Sequence, residues 1–107
     1  PIVRSIGELL KDVPGIITVS GHTDGADINN ELYSSNWELS TQRAVAVAHE
    51  LRRVSGFDES RMKVVGEASN RPLVANDSNE NQARNRRVEI SIEQGKAKES
   101  NEIIVTK

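Results

Sequence analysis

Ile2, Val3, Ile6, Leu9 and Leu10 recur at three- and four-residue spacing, which predicts one amphipathic helix at the start of the chain. Val13-Pro14-Gly15 stops it, because Pro14 disfavours helical geometry in the residue before it and Gly15 supplies the turn. Ile16-Ile17-Thr18-Val19-Ser20 is rich in β-branched residues and is followed by Gly21, a short strand. Residues 21–36 are polar and too long for a simple connection; in compact domains such loops tend to be functional. Ser35-Asn36-Trp37-Glu38 fits a capping box, with Ser35 as N-cap and Glu38 reaching back to its amide. The helix that follows carries Leu39, Ala44, Val47, Ala48, Leu51 and Val54 on an apolar stripe and ends at Ser55-Gly56.

Arg61-Met62-Lys63-Val64-Val65 predicts a second strand closed by Gly66. Strand, crossover helix and strand make a βαβ unit, parallel if the two strands are neighbours. A second polar loop over 67–79 contains Pro72, and 79–85 has room for a short helix. Val88, Ile90 and Ile92 alternate with Glu89, Ser91 and Glu93, the mark of a half-buried strand. The architecture these elements imply is α/β: a two-layer sandwich of a small mixed sheet with helices packed on one face. One domain is expected over 1–93. The segment 94–107 is expected to be a mobile tail or a flap docked through Ile103, Ile104 and Val105.

Composition narrows this picture. The chain has 107 residues, one domain's worth, and only one Trp, one Tyr and one Phe, so the core must be aliphatic. Lys and Arg number 14 against 16 Asp and Glu, a net charge of −2 that argues against nucleic acid as a partner. The absence of Cys removes disulfides, thiolate metal sites and thiol nucleophiles together. No apolar stretch reaches membrane-spanning length and no signal peptide is present. Because the first residue is Pro1 rather than Met, the chain is expected to be an excised piece of a longer protein.

Gly21-His22-Thr23-Asp24-Gly25 leaves the carboxyl end of the first strand, where α/β sheets bind ligands. The plainer alternative is a loop in which Asp24 accepts hydrogen bonds from its own turn amides. Arg43 sits in the row Leu39, Arg43, Val47, Leu51 at i+4 steps, in line with core-facing residues. Snorkelling over apolar surface accounts for that equally well. If the helix start meets the strand's carboxyl end, Asp24 for an ammonium and Arg43 for a carboxylate would hold a zwitterion. A structural Asp24–Arg43 salt bridge is the competing arrangement. Catalysis is not expected: Ser20, His22 and Asp24 lie on one strand, whereas a triad converges from separate segments. His22, Asp24 and His49 match no standard zinc spacing, and no cofactor motif is present. Arg84, Arg86 and Arg87 form the only basic cluster, either a phosphate patch or a solvated corner balanced by Glu80 and Glu89. Asn85 has the character of a turn former that ties loops together.

Taken together, Gly21-His22-Thr23-Asp24, then Asn36-x-x-Leu39-Ser40-x-x-Arg43-Ala44-x-x-Val47, then Asn85-Arg86-Arg87-Val88 resembles the OmpA-like peptidoglycan-binding domain, over about residues 2–92. Ser35-Asn36-Trp37-Glu38-Leu39-Ser40 with its long preceding loop is most similar to the flagellar motor stator B subunit (MotB/PomB) group. The resemblance implies the OmpA C-terminal-like fold, and non-catalytic binding of peptidoglycan through the stem peptide's diaminopimelate. It assigns Asp24 and Arg43 as the ligand-binding pair, Thr23, Asn36, Leu39 and Ser40 as the rest of the pocket, and Arg87 as the arginine beside it. It further implies the periplasmic domain of a single-pass inner-membrane protein that works as a homodimer. The implied partners are the stator A subunit, reached through an upstream membrane segment, and periplasmic motor-ring proteins. The alternatives are an outer-membrane or lipoprotein wall anchor, and a protein-docking module of the motor that uses residues 25–33 or the tail. The longer spacing between Asp24 and Arg43 than in commoner outer-membrane members extends the rim of the site. The first strand that the family carries upstream is not read within these residues, so the sheet is expected either to lack an edge or to have residues 103–105 replace it.

Overall fold

A computed structural model describes residues 2–27, 29–93 and 100–105. The elements run α1 (Ile2–Leu10), β1 (Ile16–His22), α2 (Asn36–Arg52), a 3-10 turn (Glu59–Arg61), β2 (Met62–Gly66), α3 (Asn79–Asn85), β3 (Arg87–Glu93) and β4 (Ser100–Val105). The strands form one mixed sheet in the order β2-β1-β3-β4. β1 pairs parallel with β2, Val19 opposite Val64 and Gly21 opposite Gly66. It pairs antiparallel with β3, Ile17 opposite Ile92 and Val19 opposite Ile90. β4 adds to the far side of β3, antiparallel, with Ile103 opposite Ile90. Of the two fates expected for 103–105, the backbone takes the edge position; residues 94–99, 106 and 107 of the expected tail lie outside the described residues.

Alternation decides which face is covered. Ile17, Val19, Val88, Ile90 and Ile92 share one side of the sheet and meet Ala44, Val47 and Leu51 of α2 and Val3, Ile6 and Leu10 of α1. The core is aliphatic, as the composition requires, with Phe57 only packed against its edge. Leu51 is fully buried there, and its truncation to Ala costs about 3 kcal/mol. α1 comes close enough to the end of α2 that a Cβ on Gly7 would lie 2.7 Å from Val54 Cγ2.

The helix start follows its sequence signal with one difference. Ser35 Oγ accepts from the Trp37 amide at 3.2 Å, one position earlier than a capping box, and its hydroxyl donates to the Glu38 carboxylate. That hydroxyl holds the Glu38 carboxyl below its usual range. Arg61, expected at the start of a strand, ends the 3-10 turn instead. Its guanidinium donates to the carbonyls of Gly15 at 2.9 Å, Lys11 at 3.2 Å and Leu10 at 3.3 Å, and also to Val13. It thereby ties the last carbonyl of α1, that of Leu10, to the carbonyls of the turn that follows.

Candidate functional site

The first turns of α2 rest on the carboxyl ends of β1 and β2. A Cβ on Gly21 would fall 1.9 Å from the Ser40 carbonyl oxygen, and one on Gly66 would fall 2.0 Å from Thr41 Oγ1. Backbone and helix therefore approach as only glycine permits. Ser40, fully buried, accepts the Ala68 amide at 3.0 Å and donates to the Trp37 carbonyl at 3.1 Å. Ala68 adopts a left-handed backbone (φ 52°), which turns the loop after β2 back over the sheet end. The amides of Thr23 and Glu67 donate to the carbonyls of Ala68 and Gly21, each at 2.9 Å. Asn36 Nδ2 donates to the Ala26 carbonyl at 2.9 Å. The expected meeting of helix start and strand end is thus present, with the Asp24 loop stitched to both.

Asp24 is held twice. Its Oδ1 accepts the Ala26 amide at 2.9 Å, the turn bond foreseen for it, and its Oδ2 accepts Arg86 Nη1 at 2.6 Å. The competing Asp24–Arg43 salt bridge is not formed: among the described residues the ion-pair partner of Asp24 is Arg86. The reason is topological. His22 lies opposite Arg87 in the β1–β3 ladder, so the residue before β3 reaches the loop after β1.

Arg43 is half-buried on α2, and its Nη1 is shielded from solvent with no hydrogen-bond acceptor among the described residues. Asn36 Oδ1 is in the same condition. The two residues lie seven apart on α2 and so share a helix face. A buried donor without an acceptor costs about 1–3 kcal/mol, more when charged, so an anion that reaches Arg43 Nη1 recovers that loss.

Thr23 and Leu39 are buried beside these groups, and the Thr23 hydroxyl donates to the Asp24 carbonyl at 3.1 Å. Arg87 is buried rather than part of a solvated corner. It donates to Glu89 at 2.7 Å and to the carbonyls of Arg71 at 2.8 Å and Asn85 at 3.0 Å. It braces the floor of the region, while Arg86 is the arginine that meets Asp24. Asn85 ties loops as foreseen: fully buried, it accepts the amides of Leu73 and Val74 and donates to Val74 and Asn76. Burial, then the neighbouring Arg87, pushes the His22 imidazole below its ordinary pKa against the pull of Glu89 and Glu67. Among the described residues no group of three His, Asp or Glu side chains converges in a metal-holding arrangement.

The OmpA family model matches residues 1–86. Motility protein B of Bacillus subtilis (strain 168) is 36% identical over 103 residues, which is 95% of this chain and 40% of that protein. Two solved structures share the fold. The cell wall anchor of the T6SS from Pseudomonas aeruginosa superposes with a TM-score of 0.77 at 39% identity, over 86% of this chain and 64% of that one. The C-terminal domain of Helicobacter pylori MotB superposes with a TM-score of 0.81 at 28% identity, over 87% and 71%. The chain spans about two-fifths of the Bacillus relative's length.

Proposed function

Because the chain belongs to the OmpA family, we propose that it is a non-catalytic module that binds peptidoglycan and anchors a flagellar motor stator to the cell wall. Its recognised group is the zwitterionic carbon of diaminopimelate in the stem peptide. The observation that carries this is the shielded, unmatched Nη1 of Arg43 on the helix face that Asn36 shares. Arg43 takes the ligand carboxylate, and Asn36 Oδ1 accepts an N–H from the ligand. Asp24 takes the ammonium: two of its roughly four lone-pair sites are used by Ala26 and Arg86, and the others are open. Thr23, Leu39 and Ser40 shape the wall of the pocket, and Arg87 braces it from beneath.

The similarity to Motility protein B and to a T6SS cell wall anchor supports the anchoring role. In this reading the whole protein is a single-pass inner-membrane protein with this domain in the periplasm, paired as a homodimer. Its partners there are the stator A subunit and periplasmic ring proteins. Two ion-pair clamps on one dimer resist lateral load through effective concentration rather than through single-site affinity.

Co-sedimentation with purified sacculi over a range of salt tests the reading. Wild-type protein pellets with the wall and is released as salt rises, because the contacts are ionic. Arg43→Ala and Asp24→Asn remain folded by circular dichroism and stay in the supernatant. Pelleting of Arg43→Ala to the wild-type extent overturns the clamp.

A further inference from the structure

Asp24 is followed directly by a glycine. It is the only aspartate in the chain so placed, and no asparagine precedes a glycine either. Glycine has no Cβ to hinder its amide nitrogen, so it is the neighbour against which an aspartyl side chain cyclises most readily. Here that nitrogen is free: Gly25 is exposed, and its amide has no hydrogen-bond acceptor among the described residues. The fold does not demand the glycine. Its backbone is not left-handed, unlike that of Gly15 and Gly56. The nearest atoms that a Cβ there would meet belong to the Asn76 side chain, with Nδ2 at 2.9 Å, rather than to backbone.

We propose that Asp24-Gly25 is a modification site at which Asp24 turns into isoaspartate, and that Arg86 is the residue that slows the change. Its consequence for wall binding rests on the reading above, whereas the chemistry needs only this chain and water. In the closing step the Gly25 nitrogen bonds to Cγ of the protonated Asp24 carboxyl. The bond from Cγ to its hydroxyl breaks, and the Gly25 amide proton leaves with that hydroxyl as water. The cyclic imide then takes up one water. Opening at Cγ restores aspartate. Opening at the Asp24 carbonyl carbon leaves the main chain running through Cγ, longer by a methylene, with the former main-chain carbonyl as the carboxylate.

Nucleophile and carboxyl sit on adjacent residues, so no encounter step opposes the closure. What opposes it is the pair of bonds on the carboxylate. Oδ2 accepts Arg86 Nη1 at 2.6 Å, and Oδ1 accepts the Ala26 amide at 2.9 Å. The imide keeps one of these oxygens and carries no charge, so closure costs the Arg86 ion pair whichever oxygen leaves. That bond is charge-assisted, the stronger of the two. The product cannot replace Asp24. Its carboxylate hangs directly on Cα, one carbon shorter than in aspartate, and withdraws from Arg86 and from the place assigned to the ligand's ammonium. The Asp24 carbonyl oxygen, which accepts the Thr23 hydroxyl at 3.1 Å, becomes part of that carboxylate.

Ageing of the purified chain near neutral pH tests this. Isoaspartate is counted with isoaspartyl methyltransferase and a labelled methyl donor, and placed by mass spectrometry of the peptide. Label is expected at residue 24 in the wild type, and about two- to fivefold faster in Arg86→Gln, the range open to a partly exposed ion pair. In urea the two proteins are expected to label at one rate, because the pair exists only in the fold. Gly25→Ala keeps Asp24 and Arg86; it is expected to stay unlabelled at residue 24 and to pellet with sacculi as fresh wild type does. Pelleting of aged wild type falls as label rises, and returns after repair by the same enzyme with unlabelled donor. Absence of label at residue 24 from both wild type and Arg86→Gln overturns the modification site. Equal rates in the folded proteins overturn the protective role of Arg86. Label at residue 24 with undiminished pelleting leaves the modification site standing and removes Asp24 from the clamp.

Discussion

Arg86 Nη1 donates to Asp24 Oδ2 at 2.6 Å, joining the residue before β3 to the loop after β1 across 62 positions of chain. In the proposed clamp, the pair fixes the carboxylate assigned to the ligand's ammonium without filling it, because Oδ1 is held separately by the Ala26 amide. Arg86 therefore acts as a positioning residue. Its side chain is 40% exposed, so solvent screens the pair and its worth to the fold is small.

Replacing Arg86 by Gln accordingly separates stability from binding. The melting temperature is expected to fall by only a few degrees, equivalent to under about 1 kcal/mol. Pelleting with sacculi is expected to weaken, but less than in Asp24→Asn, and to lose part of its salt dependence because one fixed charge has gone. Wall binding by Arg86→Gln equal to wild type in strength and salt dependence would remove Arg86 from the site.

Asn85 makes the opposite prediction. It is completely buried and holds two amides, one carbonyl and the Asn76 side chain. Truncation to Ala leaves several of these groups unmatched, so unfolding by urea should show a loss of about 3 kcal/mol. Asn85→Asp keeps the acceptor for Leu73 and Val74 but loses both donated bonds, and should fall between Ala and wild type. A loss under about 0.5 kcal/mol in the Ala variant would mean that the loop does not depend on this side chain.

Gly21 tests the contact that builds the site. A methyl group there would sit 1.9 Å from the Ser40 carbonyl oxygen, a backbone atom of α2 that cannot turn aside. Gly21→Ala should cost more than about 3 kcal/mol, seen in the denaturation midpoint. Its crosspeaks in an amide spectrum should move throughout the first two turns of α2. A variant of wild-type stability would show that the helix can retreat from the strand.

These sites differ in how visible they are from sequence. The three-to-four spacing in α1 and α2 and the alternation of Val88, Ile90 and Ile92 give the layers directly, because each periodicity is local. The placing of Asp24 after a strand and Arg43 near a helix start follows from chain order. The Asp24–Arg86 pair does not, since it requires the register that sets His22 opposite Arg87. Arg61 is the same case: its acceptors at residues 10 to 15 lie 46 to 51 positions away, and no short-range signal marks it as a helix cap. Arg87 has the look of a solvated charge until Glu89 and the carbonyls of Arg71 and Asn85 surround it.

His22, the last residue of β1, makes stability depend on pH with a definite sign. Its ring is buried, Arg87 stands opposite it, and Nε2 lies 3.5 Å from Glu89 Oε2, whose sister oxygen Oε1 accepts Arg87 Nε. Burial and Arg87 outweigh Glu89 and Glu67, so the folded imidazole titrates below its ordinary value. Between that lowered value and about 6.5 the unfolded chain binds a proton that the folded chain refuses, so stability rises with pH across this window. Above it both states are neutral and His22 has no effect; below it both are protonated and the loss is complete. Glu38 and Asp58, whose carboxyls are held low by Ser35 and Ser60, add their own losses only at more acidic pH. Urea midpoints for wild type should therefore drop from about pH 7 to about pH 5.5, whereas His22→Gln should stay level there and fall only with the carboxylates. Parallel profiles for the two proteins would show that the imidazole takes its proton in the folded state as readily as in the unfolded one.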